Sequence, residues 1–259
     1  MNKFSPIVVI LSVIFGVAGG LMFLNHMADE MQVRGFELSM ANDSKGALAY
    51  YDKAIMLNSR MSPAYLNRAQ AERSLGDTAA ALEDCNKAIE IGGSPEFLTM
   101  TYTIRGSLKE ELDDKKGAIA DYTSALNLSS NTELSPINFE ALNNRALLRV
   151  AVGDSADAIK DLTEIIKIDP SSADAYHARA TALDNIGDLA GALKDLNKSI
   201  ELNASDFGAF HDRAIVKSKL GNEDGAKADL EQFNRLNPDE TSEASGSSDE
   251  CPEVAMLMS

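Results

Sequence analysis

The 259-residue chain contains no tryptophan, two cysteines, three histidines and only 6% aromatic residues. Two cysteines, Cys85 inside a helical pattern and Cys251 near the end, support neither a disulfide framework nor a zinc site. Scarce aromatics beside abundant Ala argue against a β-rich domain and for closely packed helices. Bases are also short: 24 Lys and Arg face 40 Asp and Glu. The resulting net charge of -16 repels phosphate backbones and sets nucleic acid aside as a partner. There is no nucleophile–base pattern, no P-loop and no Gly-x-Gly-x-x-Gly, so neither catalysis nor a cofactor is expected.

What is present begins with an apolar run. Pro6 to Leu24, PIVVILSVIFGVAGGLMFL, holds 19 residues without a charge and follows Lys3. As a helix it covers roughly 28 Å, close to the hydrocarbon thickness of a bilayer. Two readings remain open. One is a retained single-pass anchor, which the renewed apolar stretch Leu21 to Leu24 favours. The other is a signal peptide with an apolar region Ile7 to Phe15, cleaved after Gly16-Val17-Ala18 to give a secreted or periplasmic protein. Positive charge before the run and Asp29 and Glu30 after it place the N-terminus inside and the remainder on the extracytoplasmic side. Ser12, Gly16 and Gly20 recur every four residues, a small-residue stripe through which two membrane helices could pair and make a homo-oligomer. At the other end, residues 239–259 carry six acids and no base, a composition that does not offset its ordering entropy. The apolar pentapeptide Val254 to Met258 closes this tail, either as an unstructured end or as a short docking motif.

Between these ends lies an internal repeat. A marker alanine recurs at Ala47, Ala81, Ala118, Ala158, Ala192 and Ala226, at steps of 34, 37, 40, 34 and 34 residues. Around each marker, an apolar-periodic helix, a turn such as Leu75-Gly76-Asp77, Val152-Gly153-Asp154 or Ile186-Gly187-Asp188, and a second helix make a helical hairpin. Hairpins that cannot bury their apolar faces alone stack on their neighbours, giving an all-α solenoid with a concave inner surface. The array also ends itself: aliphatic residues one and eight positions after the marker, as in Leu193 and Ile200, become Lys227 and Asn234 in the sixth unit. Such a polar face works as a cap. Two junctions are longer, at Gly92 to Leu98 and Ser129 to Phe139, and read as tolerated loops.

One discordant residue also repeats. Arg179 breaks an apolar face, but it lies eight residues before Gly187 and Asp195 lies eight after, so the two stand at one height in an antiparallel hairpin. The same spacing relates Arg68 to Asp84, Arg105 to Asp121, Arg145 to Asp161 and Arg213 to Asp229. Five matched pairs point to structural ion pairs that fix helix register.

The period, the aromatics Tyr65, Tyr102, Tyr176 and Phe210, the small residues Ala69, Gly106, Ala146, Ala180 and Ala214, the turn glycines Gly76, Gly153, Gly187 and Gly221, and Pro170 and Pro238 together resemble the tetratricopeptide repeat family. The resemblance covers residues 28–238 as six units; the first departs most, with Met31 for the aromatic and Asn42 for the turn glycine. It implies a right-handed superhelix and a non-catalytic scaffold that binds a protein or peptide. By analogy, the groove residues are Phe36 and Met40; Leu66, Gln70 and Arg73; Thr103, Ser107, Glu110 and Glu111; Asn143, Leu147 and Val150; His177, Thr181, Asp184 and Asn185; His211, Ile215 and Lys219. This mixed apolar and acidic set suits a peptide with apolar anchors and some basic character. Some family members grip the C-terminal carboxylate of heat-shock chaperones with Lys, Asn and Arg. Here those positions hold Gln32, Phe36, Asn67, Met100 and Ile104, so that role is not expected. His177 and His211 occupy equivalent positions in adjacent units and, with Asp174 or Asp212, raise a metal site or a pH-sensitive pair, although ordinary surface histidines are the simpler reading. The function expected is a membrane-held interaction scaffold, with a self-assembling organiser or a regulatory subunit of a membrane enzyme as alternatives.

Overall fold

The computed structural model describes residues 6–128 and 136–237, with side chains described from residue 19 onward. Among the described residues all regular structure is helical. Twelve helices alternate as six hairpins: α1 (Pro6–Met40) with α2 (Ser44–Leu57), α3 (Ser62–Ser74) with α4 (Thr78–Ile91), α5 (Pro95–Glu111) with α6 (Lys115–Leu128), α7 (Pro136–Ala151) with α8 (Ser155–Ile168), α9 (Ala173–Asn185) with α10 (Leu189–Leu202), and α11 (Phe207–Lys219) with α12 (Glu223–Leu236). Two compact units result, one running to Ala141 and the other from Leu142, with the boundary inside α7. The acidic tail, Cys251, Pro238 and the Val254 to Met258 segment lie outside the described residues.

Each turn is built from two residue types. The first adopts a left-handed conformation: Gly76, Gly153, Gly187 and Gly221 have φ between 76° and 85°, and Asn42 and Asp113 have φ of 62° and 59°. This geometry closes the first helix. In the α3–α4 turn the Asp77 N–H donates to the Glu72 carbonyl at 3.0 Å and the Gly76 N–H to the Arg73 carbonyl at 2.9 Å. In five of the six turns the next residue caps the second helix through its side chain: the Asp77 carboxylate accepts from the Ala80 N–H at 3.1 Å, and Asp43, Asp114, Asp188 and Asn222 do the same, whereas Asp154 makes no such bond.

The two helices of a hairpin approach closely at the small position, and its size is matched to the residue four after the marker alanine. Gly35 and Gly106 face Tyr51 and Tyr122; a Cβ on Gly106 would stand 2.8 Å from Tyr122 Cε1, and one on Gly35 would stand 2.6 Å from Tyr51 Cε1. Ala69, Ala180 and Ala214 stand in hairpins whose facing residues are the smaller Cys85, Leu196 and Leu230. Cys85 is fully buried, and burial pushes its thiol up to about 12, so it packs as a small apolar residue.

Seven residues after each marker, Ala54, Ala88, Ala125, Ile165 and Ser199 are buried. In the sixth hairpin Phe233 takes this position, with its ring 6.0 Å from Phe207 and 5.2 Å from His211. A bulky ring where five earlier hairpins carry buried, mostly small residues blocks close approach of another helix, and Lys227 and Asn234 beside it are exposed.

Two expectations about segment boundaries change. The apolar run and the first repeat helix form one 35-residue helix, α1, without a linker between residues 24 and 28. Leu24 and Ala28 are already buried, Ala28 against Ala54, Met61 and Ala64. Among the described residues no helix is long and apolar enough to cross a membrane. The side chains of residues 6–18, including Ser12 and Gly16 of the small-residue stripe, lie outside that description. The junction at Gly92 to Leu98 is also less of a loop than expected: Ser94 caps the Phe97 N–H, Pro95 sits at the first helical turn, and α5 absorbs the extra residues by extending to 17. In the other long junction, residues 129–135 lie outside the described residues.

Candidate functional site

The five arginines each reach their aspartate with two parallel bonds. Arg179 Nε and Nη2 donate to the Asp195 carboxylate at 2.6 and 2.8 Å; Arg68 engages Asp84 at 2.6 and 2.7 Å, Arg105 Asp121 at 2.8 and 2.6 Å, Arg145 Asp161 at 2.9 and 2.7 Å, and Arg213 Asp229 at 2.8 and 2.7 Å. The aspartates are 2–6% exposed, so these are buried carboxylates. The guanidinium hydrogen bonds hold Arg179 protonated against burial, and burial of Asp229 is outweighed by its bonds to Arg213 and Lys217. Four arginines also lie over the ring three residues before them, Arg68 on Tyr65, Arg105 on Tyr102, Arg179 on Tyr176 and Arg213 on Phe210, at 5.3–5.6 Å.

A third bond, not read from the sequence, ties the arginine to the preceding hairpin. Arg68 Nη1 donates to Asp52, Arg105 to Asn86, Arg179 to Thr163 and Arg213 to Asn197. The signal was available: each acceptor stands five residues after a marker alanine. In these four hairpins the guanidinium therefore joins three helices, which accounts for its presence on an otherwise apolar face and commits three of its five N–H donors to the scaffold.

The groove residues separate into distinct groups. In the first unit Phe36 and Met40, 53% and 74% exposed, line an open groove of about 430 Å³ with Gln70, Asn67, Ser39, Asn42, Ser44, Ser74 and Met100. None of its lining residues carries a charge. Leu66 does not belong to it: at 1% exposure it packs in the core with Cys85, Ala88 and Leu108, because its turn of α3 faces the neighbouring hairpin. Thr103 is buried for the same reason and bonds the Thr99 carbonyl. Arg73 is exposed but neutralised, donating to Glu111 at 2.6 Å and Ser107 at 2.8 Å; Glu110 accepts from the Tyr122 hydroxyl at 3.3 Å.

In the second unit Leu147 is 46% exposed and Asn143 is half-buried. Val150 and Asn185 line one surface depression beside Gly153 and Ile186. Thr181, Asp184 and Ile215 line a smaller cavity of about 100 Å³ with Asp212. Asp184 pairs with Lys219 at 2.7 Å, joining α9 to α11. His177 stands between two carboxylates, its Nδ1 3.0 Å from Asp206 and its Nε2 2.9 Å from Asp212, while His211 Nδ1 lies 3.3 Å from the other Asp212 oxygen. Hydrogen bonding to Asp212, opposed by burial and aided by Asp206, raises the His177 pKa. Among the described residues no three His, Cys, Asp or Glu side chains are placed to hold a metal ion.

Stacked antiparallel hairpins with a repeated interhelical arginine and an open uncharged groove define an all-α repeat protein of the helical-hairpin class. The chain belongs to the tetratricopeptide repeat family, which is matched over residues 40–95 and 143–207. It is 34% identical over 122 residues to human tetratricopeptide repeat protein 36, covering 45% of this chain and 65% of that one. With the protein of the same name from Danio rerio it is 30% identical over 128 residues, 47% of this chain and 67% of the relative. The chain thus spans about two thirds of the length of these relatives. In fold it is similar to YrrB, described as a TPR protein with an unusual peptide-binding site, with a TM-score of 0.63, 21% identity, and coverage of 73% of this chain and 93% of that one.

Proposed function

We propose that the chain is a non-catalytic interaction scaffold that seizes a segment of a partner protein in the groove of its first unit, and that α1 holds it at a membrane. Tetratricopeptide repeat proteins mediate protein–protein interactions, and the family is generally non-catalytic. One observation carries the choice of site: in a chain of net charge -16, a groove with exposed Phe36, Met40 and Met100 is lined by no charged residue. Large exposed apolar side chains in a concave surface mark a binding site. The amides of Asn67 and Gln70 supply donors and acceptors for an extended backbone, and methionines adapt to varied apolar side chains. The occupant is an uncharged segment with apolar anchors rather than a basic one.

The membrane reading rests on the 19-residue apolar run and on its continuation, without a linker, into the first repeat helix. A single-pass anchor with the repeats on the extracytoplasmic side follows from the charge before and after the run.

A photoreactive residue placed at Met40 tests the groove in intact membranes. It is expected to form a covalent adduct that a control at Lys194 does not form, and Phe36→Glu in the same chain is expected to reduce the adduct at least tenfold, the loss of about 1.4 kcal/mol of binding. An unchanged adduct with Phe36→Glu and helical content intact would remove the groove from the mechanism. Retention of the full chain in carbonate-washed membranes tests the anchor separately.

A further inference from the structure

We propose that the sixth hairpin docks on the fifth through a proton-dependent clamp: the His177 ring of α9 is gripped between the carboxylates of Asp206 and Asp212, and losing one proton frees α11 and α12. Geometry leads. A neutral imidazole has one N–H donor and one lone pair, whereas both ring nitrogens here lie within 3.0 Å of a carboxylate oxygen. Both contacts are hydrogen bonds only in the imidazolium; after deprotonation one nitrogen lone pair confronts an anion. The two acceptors stand at different heights on the sixth hairpin. Asp206 is the cap of α11, where its other oxygen accepts from the Ala209 N–H at 3.2 Å, and Asp212 lies in the second turn. A single ring therefore fixes both the start and the body of α11.

The charged groups around the ring are few. From α11 and its cap come Asp206 and Asp212, with His211 on the far oxygen of Asp212; Arg213 and Lys217 of that helix turn to Asp229. On α9, Asp174 is exposed, Arg179 engages Asp195 of α10, and Asp184 holds Lys219. The charged side chains of α8 pair on their own helix or with α7, and α12 presents Phe233 to this cluster. His211 is the one further base in contact with the pair, and it reaches only Asp212, leaving Asp206 to the His177 ring.

An independent feature marks the same joint as the weak one. Ser199 of α10 is fully buried seven residues after its marker alanine, and its hydroxyl has no hydrogen-bond partner, where the first three hairpins place Ala54, Ala88 and Ala125. An unsatisfied buried hydroxyl opposes docking. Among the described residues the sixth hairpin packs on one neighbouring hairpin only, so the loss of one interface term is felt there first. The raised pKa of His177 fixes the direction. A base whose folded pKa lies above its unfolded value contributes stability that is complete below about 6.5 and is lost as pH rises through the folded value. Release uncovers Leu193, Leu196 and Ile200 of α10, which pack with Ala209 and Val216 of α11.

Amide exchange of the full chain between pH 6 and 9, corrected for the intrinsic rate, tests the clamp. Protection in residues 207–236 is expected to fall severalfold as pH rises, relative to protection in α3 and α4. In His177→Gln it is expected to be low and independent of pH; in His177→Lys, which keeps a cation at that position, it is expected to stay independent of pH. Flat protection in the unaltered chain, or the same slope in His177→Gln, would overturn the clamp. So would a nitrogen spectrum of the His177 ring showing a single N–H at pH 6.

Discussion

Glu72 is the residue at which the ladder of ion pairs reverses its own charge pattern; the fifth hairpin has the neutral Leu183 at the same position. Four residues after the arginine, three hairpins supply a second base to the buried aspartate: Lys109 to Asp121 at 2.8 Å, Arg149 to Asp161 at 2.6 Å and Lys217 to Asp229 at 2.7 Å. The second hairpin places a carboxylate there instead. Glu72 Oε2 is buried without a hydrogen-bond partner, and burial, followed by the Asp84 charge, pushes its pKa up to about 7. A carboxyl whose folded pKa exceeds its unfolded value binds more protons folded than unfolded. The contribution of Glu72 to stability is therefore most favourable below about 4.5 and falls as pH rises toward 7. Glu72→Lys would give Asp84 a second base and the Ala80 carbonyl a donor, as Lys109 and Lys217 do for Gly117 and Gly225. The expected gain at pH 7.5 is about 1–3 kcal/mol in urea unfolding, together with loss of the slope between pH 4.5 and 7. No gain would mean that the residue is solvated in solution. The substitution Glu for base was visible in the sequence; its cost was not, because cost depends on burial.

At the scale of the element, spacing revealed more than residue identity did. The Gly-Asp turns, the marker alanines and the arginine-to-aspartate interval each follow from a helix pitch and a hairpin height, so twelve helices could be placed before any contact was known. Side-chain direction within one turn is finer than a repeat register, which is why the register points Leu66 and Thr103 at the groove while they lie in the core. The match between Gly35 and Tyr51, and between Gly106 and Tyr122, is a paired change at two positions of the repeat, of which the repeat pattern of small residues marks only Gly106. That match is testable. Gly106→Ala puts a methyl 2.8 Å from the fully buried ring of Tyr122, an overpacking that costs about 1–3 kcal/mol. Combined with Tyr122→Leu, the pairing found at Ala180 and Leu196, the alanine should cost little. A double-mutant cycle by thermal unfolding is therefore expected to show a coupling of at least about 1 kcal/mol, and additive losses would deny that the two side chains share one space.

For the molecule as a whole, the question is what the sixth hairpin, the last among the described residues, presents at its outer face. Repeat proteins gain stability at each interface, so an unfinished apolar end invites either another repeat or another molecule. The sequence shows two polar substitutions at that end, Lys227 and Asn234, and the structure adds Phe233, whose ring leans on Phe207 and His211 where a neighbouring helix would pack. Charge deters association, and the ring removes the shallow seat that Ala54, Ala88 and Ala125 provide inside the array. The two devices act on different terms, solvation and shape, so removing one should leave the other effective. Phe233→Ala alone, or Lys227→Leu with Asn234→Ile alone, is expected to leave the sedimentation coefficient of the chain in detergent unchanged. All three together recreate the face of an internal hairpin and are expected to give species whose size rises with concentration. A triple variant that sediments like the unaltered chain would show that something other than the α12 face terminates the array.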